Sequence, residues 1–316
     1  MHVLFCCDDP AYFSPDKDTT RALIEMGWQR GHAVSWADKH QLAWLQGCVQ
    51  VCSTLLLPGA DDGWFTPRPG PWHSAMDFDA VVVRNDPPVD LPYQRMCQLL
   101  ALLPAGRVWN APGALLTHNE KLCTLRFASW MIDTIVEEDE ELHAQFVSKS
   151  LKGVSKSLDS LGGDGVVAWG GGFGPAQAAR EKVAHFGPQG GARSMTMSQG
   201  WIDRVYSGDK RVIMIDGHFA GVVLRVPRQG EFRGNIHLGG QVEPSTLTDR
   251  EEAIVSEVGP WLRQEGILLA GLDLVGEYLT EINITSPTGM REIERLSSDR
   301  PTQRFWDALE RRQTYK

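Results

Sequence analysis

No stretch of this 316-residue sequence is apolar for long enough to cross a bilayer. The longest runs, such as Ala80–Val83 and Ile267–Ala270, are a fraction of the roughly 20 residues a membrane helix needs. Positive charge is also scarce: 31 Lys and Arg against 40 Asp and Glu leave a formal charge of −9, which argues against nucleic acid or an anionic membrane as the main partner. An anionic ligand must therefore be met by a local cluster of cations. The six cysteines, Cys6, Cys7, Cys48, Cys52, Cys97 and Cys123, form no Cys-x-x-Cys pair or zinc-type spacing, and they fit buried thiols in a reducing cytoplasm. Met1 leads directly into a strand-like run without a cationic region or cleavage site, so no signal peptide is expected and the protein is placed in the cytoplasm. Gly-x-Gly-x-x-Gly is missing after the first strand, as are the Walker spacing and the kinase sets His-Arg-Asp and Asp-Phe-Gly. Their absence excludes a dinucleotide site at that turn, a P-loop and a protein-kinase site.

What is present has the composition of a soluble globular protein, 42% hydrophobic and 22% charged, in a chain longer than one core usually organises. Met1–Cys7 is an apolar run closed by Asp8-Asp9-Pro10. Asp18-Thr19-Thr20 caps a helix from about Thr20 to Arg30, Gly31 stops it, and His32–Trp36 supplies a second strand. That order predicts a parallel α/β lobe. Gln46–Pro58 and the Pro/Gly-rich Trp64–Trp72 segment are expected as an irregular hairpin or excursion. Asp79–Arg84 reads as a buried strand delivering Asn85-Asp86-Pro87-Pro88 to a loop at its C-terminal end, where open α/β sheets bind ligands. Asn119 is placed to cap a helix from Leu122 to Trp130, with Lys121 in its first turn, where a cation opposes the helix dipole unless it serves a ligand. The acidic run Glu137–Glu141 is expected on a solvent face at a helix entrance. Val154–Trp169 reads as strand, glycine-rich loop and strand, with Lys156 upstream of Gly162-Gly163 as a phosphate nest requires. Gly170–Gly174, with no nearby cation, reads as a linker. Asp216-Gly217 marks a hairpin, Thr248 and Glu251 form a capping box for a helix to Glu265, and Thr302–Arg312 reads as a polar closing helix.

Two features carry chemistry. Arg225, Arg228 and Arg233 surround the single Glu231, a positive patch in an acidic chain and a natural anion site. The second is the stretch from Gly271 to Glu292, which opens as two strands around a turn at Gly276-Glu277-Tyr278. Side chains alternate along a strand, so a loop with an odd number of residues would set Asp273 opposite Glu281, roughly 5 Å apart, with Asn283 beside them. A two-residue loop would send the two acids to opposite faces. Facing carboxylates repel, and a hard divalent cation would relieve them, since Mg²⁺ takes one or two carboxylates plus substrate phosphates. Spacing alone favours a plain hairpin whose acidic face is solvated.

Taken together, several motifs resemble the bacterial glutathione synthetases of the ATP-grasp superfamily, in order from about residue 80 to 295. They are Arg84-x-Asp86-Pro87-Pro88, Asn119-Glu120-Lys121-Leu122, Lys156-x-Leu158-Asp159-x-x-Gly162-Gly163, Gly208-Asp209-Lys210-Arg211, Arg225-x-Pro227, Arg233-Gly234-Asn235, Gly271-Leu272-Asp273 and Thr280-Glu281-Ile282-Asn283-x-Thr285-Ser286-Pro287-Thr288. The resemblance implies an α/β ATP-grasp fold with an N-terminal α/β domain over 1–118, a central lid subdomain over 119–201 and a C-terminal α+β subdomain over 202–316. It implies phosphoryl transfer from ATP to a peptide carboxylate and attack of an amine on the acyl phosphate, with γ-glutamylcysteine and glycine as the pair. Carried onto this sequence, Lys121, Lys156, Lys210, Gly162 and Gly163 would bind ATP. Asp273, Glu281 and Asn283 would hold Mg²⁺, for which Mn²⁺ can substitute. Arg225 and Arg233 would act on the transferred phosphoryl group, and Arg84, Asp86, Asn235, Ser286, Thr288 and Arg291 would orient the substrates. Small molecules are the implied partners, along with an assembly of identical chains.

The family pattern is not kept throughout. Ser157 follows Lys156 where proline is usual, Ser160-Leu161 stands in the lid, Gln241 replaces an arginine after Gly239-Gly240, and Asn85 stands where a basic residue or glutamine is usual. Asn85 and Gln241 favour an alternative within the same chemistry, a ligase joining a different small acid or peptide to a different amine. A non-catalytic nucleotide-binding protein on this fold would be expected to have lost Asp273, Glu281, Lys156 or Arg225, and all are present.

Overall fold

Hydrophobic runs and period-2 alternation sort the strands into sheets of seven, four and five strands. The structure is a computed structural model and describes residues 1–59, 63–160, 165–186, 194–234 and 240–314. In the first sheet β1 (His2–Cys6) leads through helix α1 (Thr19–Gln29) to β2 (Ala33–Ala37), which pairs with it in parallel. Asp18 caps α1, its Oδ1 accepting the Arg21 N–H at 2.7 Å. β3 (Leu42–Leu45), β4 (Cys48–Pro58) and β5 (Phe65–Ser74) then add antiparallel pairs. β6 (Ala80–Val83), α2 (Leu91–Leu100) and β7 (Val108–Trp109) return the chain to the parallel part. Of the two forms expected over Gln46–Pro58 and Trp64–Trp72, hairpin or excursion, the structure has the antiparallel pair, with one register shift between Cys52 and Thr54. Pro67 and Pro69 lie two positions apart on β5, so the donors they remove fall on one edge while β4 pairs along the other, and Pro71 sits where the register shifts.

After α3 (Pro112–Thr117), residues Leu122–Trp130 form 3-10 turns rather than the expected α-helix. Asn119 still caps them, its Oδ1 accepting the N–H groups of Lys121 and Leu122 at 3.0 and 3.1 Å. β8 (Thr134–Glu137), α4 (Glu140–Lys149), β9 (Lys152–Ser157), β10 (Val166–Gly170), α5 (Ala176–Ala184) and β11 (Thr196–Gly200) build the antiparallel second sheet, ordered β10-β9-β11-β8. Asp139 caps α4 as its acidic entrance suggests, but Glu137 is not solvated. It is buried and held by Arg180 through two bonds of 3.0 and 3.2 Å. The glycine turn after β10 is also not without a cation, because Lys152 Nζ lies 3.6 Å from the Trp201 ring centre and 5.0 Å from that of Phe173.

The third sheet contains β12 (Asp209–Ile215), β13 (His218–Val226), β14 (Gln241–Pro244), β15 (Leu269–Val275) and β16 (Tyr278–Asn283), ordered β14-β13-β12-β15-β16. Helix α6 (Asp249–Gln264) precedes β15, and α7 (Met290–Leu296) and α8 (Pro301–Thr314) follow β16. Alternation assigns the faces. Val212, Met214, Leu272 and Leu274 are buried with Ile254, Val258 and Leu262 of α6. Ile213 and Ile215 point the other way, into a core with Ile293, Trp306 and Leu309 of α7 and α8. Toward the Asp209 end that second face carries charged side chains instead. α8 also closes on α1: the Trp306 indole N–H donates to the Leu23 carbonyl at 2.9 Å, and a Cβ at Gly27 would lie 2.5 Å from the ring. Among the described residues no helix is long and apolar enough to cross a membrane.

Candidate active site

The hairpin between β15 and β16 turns on Gly276 and Glu277, with φ of 53° and 71°, a two-residue turn rather than the odd loop expected from the sequence. Asp273 faces Glu281 nevertheless. A β-bulge between Asp273 and Leu274 shifts the register: Val275 pairs with Tyr278, Leu274 with Leu279 and Asp273 with Glu281, leaving Thr280 as the extra residue. The Thr280 hydroxyl donates to the Asp273 carbonyl at 3.0 Å and pins the bulge. Asn283 pairs with Gly271, and its Nδ2 lies 3.3 Å from Asp273 Oδ2, so the three side chains share one face.

Arginine and lysine neutralise much of the acidity at this face. Arg211, opposite Asp273 on β12, grips it through Nε at 2.7 Å and Nη2 at 3.1 Å. Arg225 adds a contact of 3.1 Å to Asp273 and also binds Asp209. Lys121 Nζ sits 3.2 Å from Glu281 and donates to the Ser160 carbonyl at 2.6 Å. Burial alone would raise the Asp273 pKa, but the two guanidiniums outweigh it and hold the carboxyl well below the usual range. Gly271 makes room for this network, since a Cβ there would come 3.1 Å from Arg211 Cδ and 3.0 Å from Pro287.

Asp273 and Glu281 are walls common to two cavities. The smaller, about 120 Å³, lies between the second and third sheets, with Lys121, Lys156 and Arg233 on its polar side and Val154, Val166 and Ile202 on its apolar side. The larger, about 530 Å³, opens toward the first sheet and is lined by Asp86, Arg225, Asn283, Ser286 and Thr288 among others. Asp273, Glu281 and Asn283 are an oxygen-bearing set suited to a hard divalent cation. The set is incomplete alone, because no cluster of three or more His, Cys, Asp or Glu forms among the described residues, and phosphate oxygens would complete it.

Lys156 lines the smaller cavity with no ion-pair partner among the described residues. Burial lowers its pKa to about 8, with Glu281 opposing the shift and Lys121 adding to it. The ordinary lysine value is 10.5, so an unfolded chain keeps this proton longer than the folded one does. The resulting cost to folding is full below about pH 8 and is relieved as the pH climbs toward 10.5. A polyphosphate would restore the proton. Nucleotide affinity is therefore expected to be full below about pH 8 and to fall by up to about tenfold per pH unit above it. Calorimetric titration of ATP across that range would show the slope, and Lys156→Met should abolish it.

Several expected residues lie elsewhere. Lys210 is out of phase with Asp209 and Arg211, so it points to α6 and binds Glu251 Oε2 at 2.6 Å and the Thr246 carbonyl at 2.8 Å. Arg84 is buried behind the larger cavity, donating to Thr20 Oγ1 at 3.1 Å and to the Pro287 carbonyl at 3.0 Å. Arg291 turns to α1, donating to the Asp18 carbonyl at 3.1 Å and to Glu25 Oε2 at 2.6 Å. These two arginines brace the elements that carry the site and line neither cavity. Asp86 does reach it, accepting the Ser286 hydroxyl at 2.5 Å and so joining the first sheet to the segment after β16. Gly162, Gly163 and Asn235 lie outside the described residues. Arg211, Asp209 and Glu120 were not in the sequence-based set, although the alternation that turns Lys210 away selects the first two.

Comparison with known proteins identifies the family. The model of the prokaryotic glutathione synthetase ATP-grasp domain matches residues 120–298, and that of the prokaryotic glutathione synthetase N-terminal domain matches residues 1–115. A glutathione synthetase of Synechocystis sp. is 34% identical over 312 residues, covering 95% of this chain and 96% of that protein. One from Prochlorococcus marinus is 36% identical over 301 residues, covering 94% of each. The crystal structure of the D-cycloserine synthetase DcsG aligns with a TM-score of 0.67 at 16% identity, covering 98% of this chain and 99% of that one. A RimK domain protein ATP-grasp from Sphaerobacter thermophilus gives 0.60 at 19% identity, covering 98% and 100%. At such identities the solved structures speak for the fold alone, which is ATP-grasp. With both domains matched and full-length relatives above 30% identity, the chain belongs to the prokaryotic glutathione synthetase family and is an ATP-dependent ligase of that type.

Proposed function

We propose that this ligase joins γ-glutamylcysteine to glycine in the cytoplasm, using ATP and Mg²⁺ or Mn²⁺, with the three sheets serving as lobes over 1–118, 119–201 and 202–316. One observation carries the reading: Asp273 and Glu281 stand between a small cavity that holds Lys121, Lys156 and Arg233 beside an apolar wall and a larger polar one. A nucleotide in the first would present its terminal phosphate to substrates in the second. The donor carboxylate oxygen attacks the γ-phosphorus and ADP leaves. The amine then adds to the acyl carbon, and phosphate departs from the tetrahedral intermediate as the nitrogen loses its proton. Such a transfer requires positioning and charge neutralisation rather than a protein nucleophile.

Lys121 and Lys156 supply charge to the phosphates. Arg225, locked between Asp209 and Asp273, steadies the group in transfer, and Arg233 adds a second guanidinium from its loop. Asp86, Ser286 and Thr288 orient the substrates in the larger cavity. A divalent cation held by Asp273, Glu281 and Asn283 would offset phosphate charge. Asn85, whose identity favoured a different substrate pair, is fully buried and lines neither cavity, which removes that argument and leaves only the exposed Gln241 for the alternative.

ADP release from the purified protein tests the assignment. It is expected only when γ-glutamylcysteine and glycine are both present. Release with another acid and amine from a panel would replace the pair, and nucleotide binding without release under every pair would overturn the reading.

A further inference from the structure

The larger cavity is acidic: six carboxylate side chains and three cationic ones line it, and Arg211 and Arg225 among the cations are already committed to Asp273. Two of those carboxylates, Glu120 and Glu292, keep a buried Oε2 without a hydrogen-bond partner among the described residues. Glu292 lies in the field of Lys17, Arg291 and Arg295, so positive charge is at hand. Glu120 has a like charge beside it instead, and burial together with Glu281 pushes its pKa up.

Its other oxygen is fully used. Glu120 Oε1 accepts the N–H groups of Ile284 at 2.6 Å and Thr285 at 2.9 Å and the Thr285 hydroxyl at 2.9 Å. The Glu120 carbonyl accepts the Ile282 N–H at 3.0 Å, which fixes the residue against β16. The carboxyl is thus rigidly anchored by one oxygen while the residue, 6% exposed, lines the cavity with Glu281 and Asp273. A buried carboxylate oxygen without a donor is costly, and the cost is removed when a cationic donor arrives.

We propose that Glu120 is the subsite for the ammonium group of the acceptor, the molecule whose nitrogen attacks the activated carboxyl. Glu281 belongs to the wall shared with the smaller cavity, so Glu120 beside it lies on the side of the larger cavity that, in the reading above, meets the terminal phosphate. An ammonium supplies both the donors and the charge that this position lacks. The inference rests on the acyl-phosphate reading above and assigns the acceptor to small amines that arrive protonated.

Glu120→Gln keeps an oxygen for Ile284 and Thr285 and removes the charge. It is expected to raise the KM for the acceptor amine by about 10–100-fold, with the KM values for ATP and the donor acid little changed. Hydroxylamine, which is uncharged near neutral pH, should form the donor hydroxamate at the same rate with the variant and the native protein. An unchanged amine KM, or an equal loss with hydroxylamine, would reduce Glu120 to a brace for the Ile284–Thr285 segment and overturn the proposal. Failure of the native protein to form hydroxamate would instead sink the acyl-phosphate reading, and this subsite with it.

Discussion

Replacing Glu281 by glutamine is expected to cut ATP turnover by about 10²–10³-fold while the protein stays folded. Glu281 belongs to the wall between the two cavities, and its side chain keeps 20% of its surface, so the substitution strands no fully enclosed charge. Glutamine preserves the size of the side chain and an oxygen for Lys121 at 3.2 Å, but not the anionic ligand that a divalent cation would take. The loss should therefore be accompanied by a higher Mg²⁺ concentration at half-maximal rate, with the thermal midpoint close to that of the native protein. Turnover measured against Mg²⁺ decides the matter. A variant with native rate and native metal dependence would remove Glu281 from the metal set.

Asp273→Ala is expected to do something different, removing activity and also about 3–5 kcal/mol of stability. Its side chain is 7% exposed and bonded to both Arg211 and Arg225, so deletion leaves two enclosed guanidiniums short of their counter-charge. Attraction within the network, not the metal, sets this cost. Adding Arg211→Ala to Asp273→Ala should recover part of the loss, because one of the orphaned charges goes with it. Urea unfolding of the two single variants and the double variant provides the cycle. A single Asp273→Ala variant as stable as the native protein would contradict the buried network.

Features with local causes were legible in the sequence. Asp18 and Thr248 cap α1 and α6, and Asp216-Gly217 turns its hairpin, because each signal lies within a few residues of its effect. The sequence leaves Trp64–Trp72 between an irregular hairpin and an excursion, because prolines argue against a strand until β4 is known to occupy only one edge. The site was half legible for the same reason. Asp273, Glu281 and Asn283 share a face as expected for an odd loop, yet the turn has two residues and the facing holds only because Thr280 is an extra residue, which no local rule identifies. Arg84, Lys210 and Arg291 carry the right charge for their expected roles, but their direction depends on partners far along the chain: Pro287, Glu251 and Glu25.

The contact between α8 and α1 has a consequence for how this protein is made. Phe305, Trp306 and Leu309 complete the same core as Val3, Phe5, Leu23 and Ile24. A ribosome delivers the second group long before the helix that covers it. Until that helix emerges the first sheet has one apolar flank open, and the growing chain presents that flank to chaperones and to its neighbours on the polysome. The core of the first sheet is complete only after residues 301–314 have emerged, so the pace of translation between the two segments sets how long the flank stays bare.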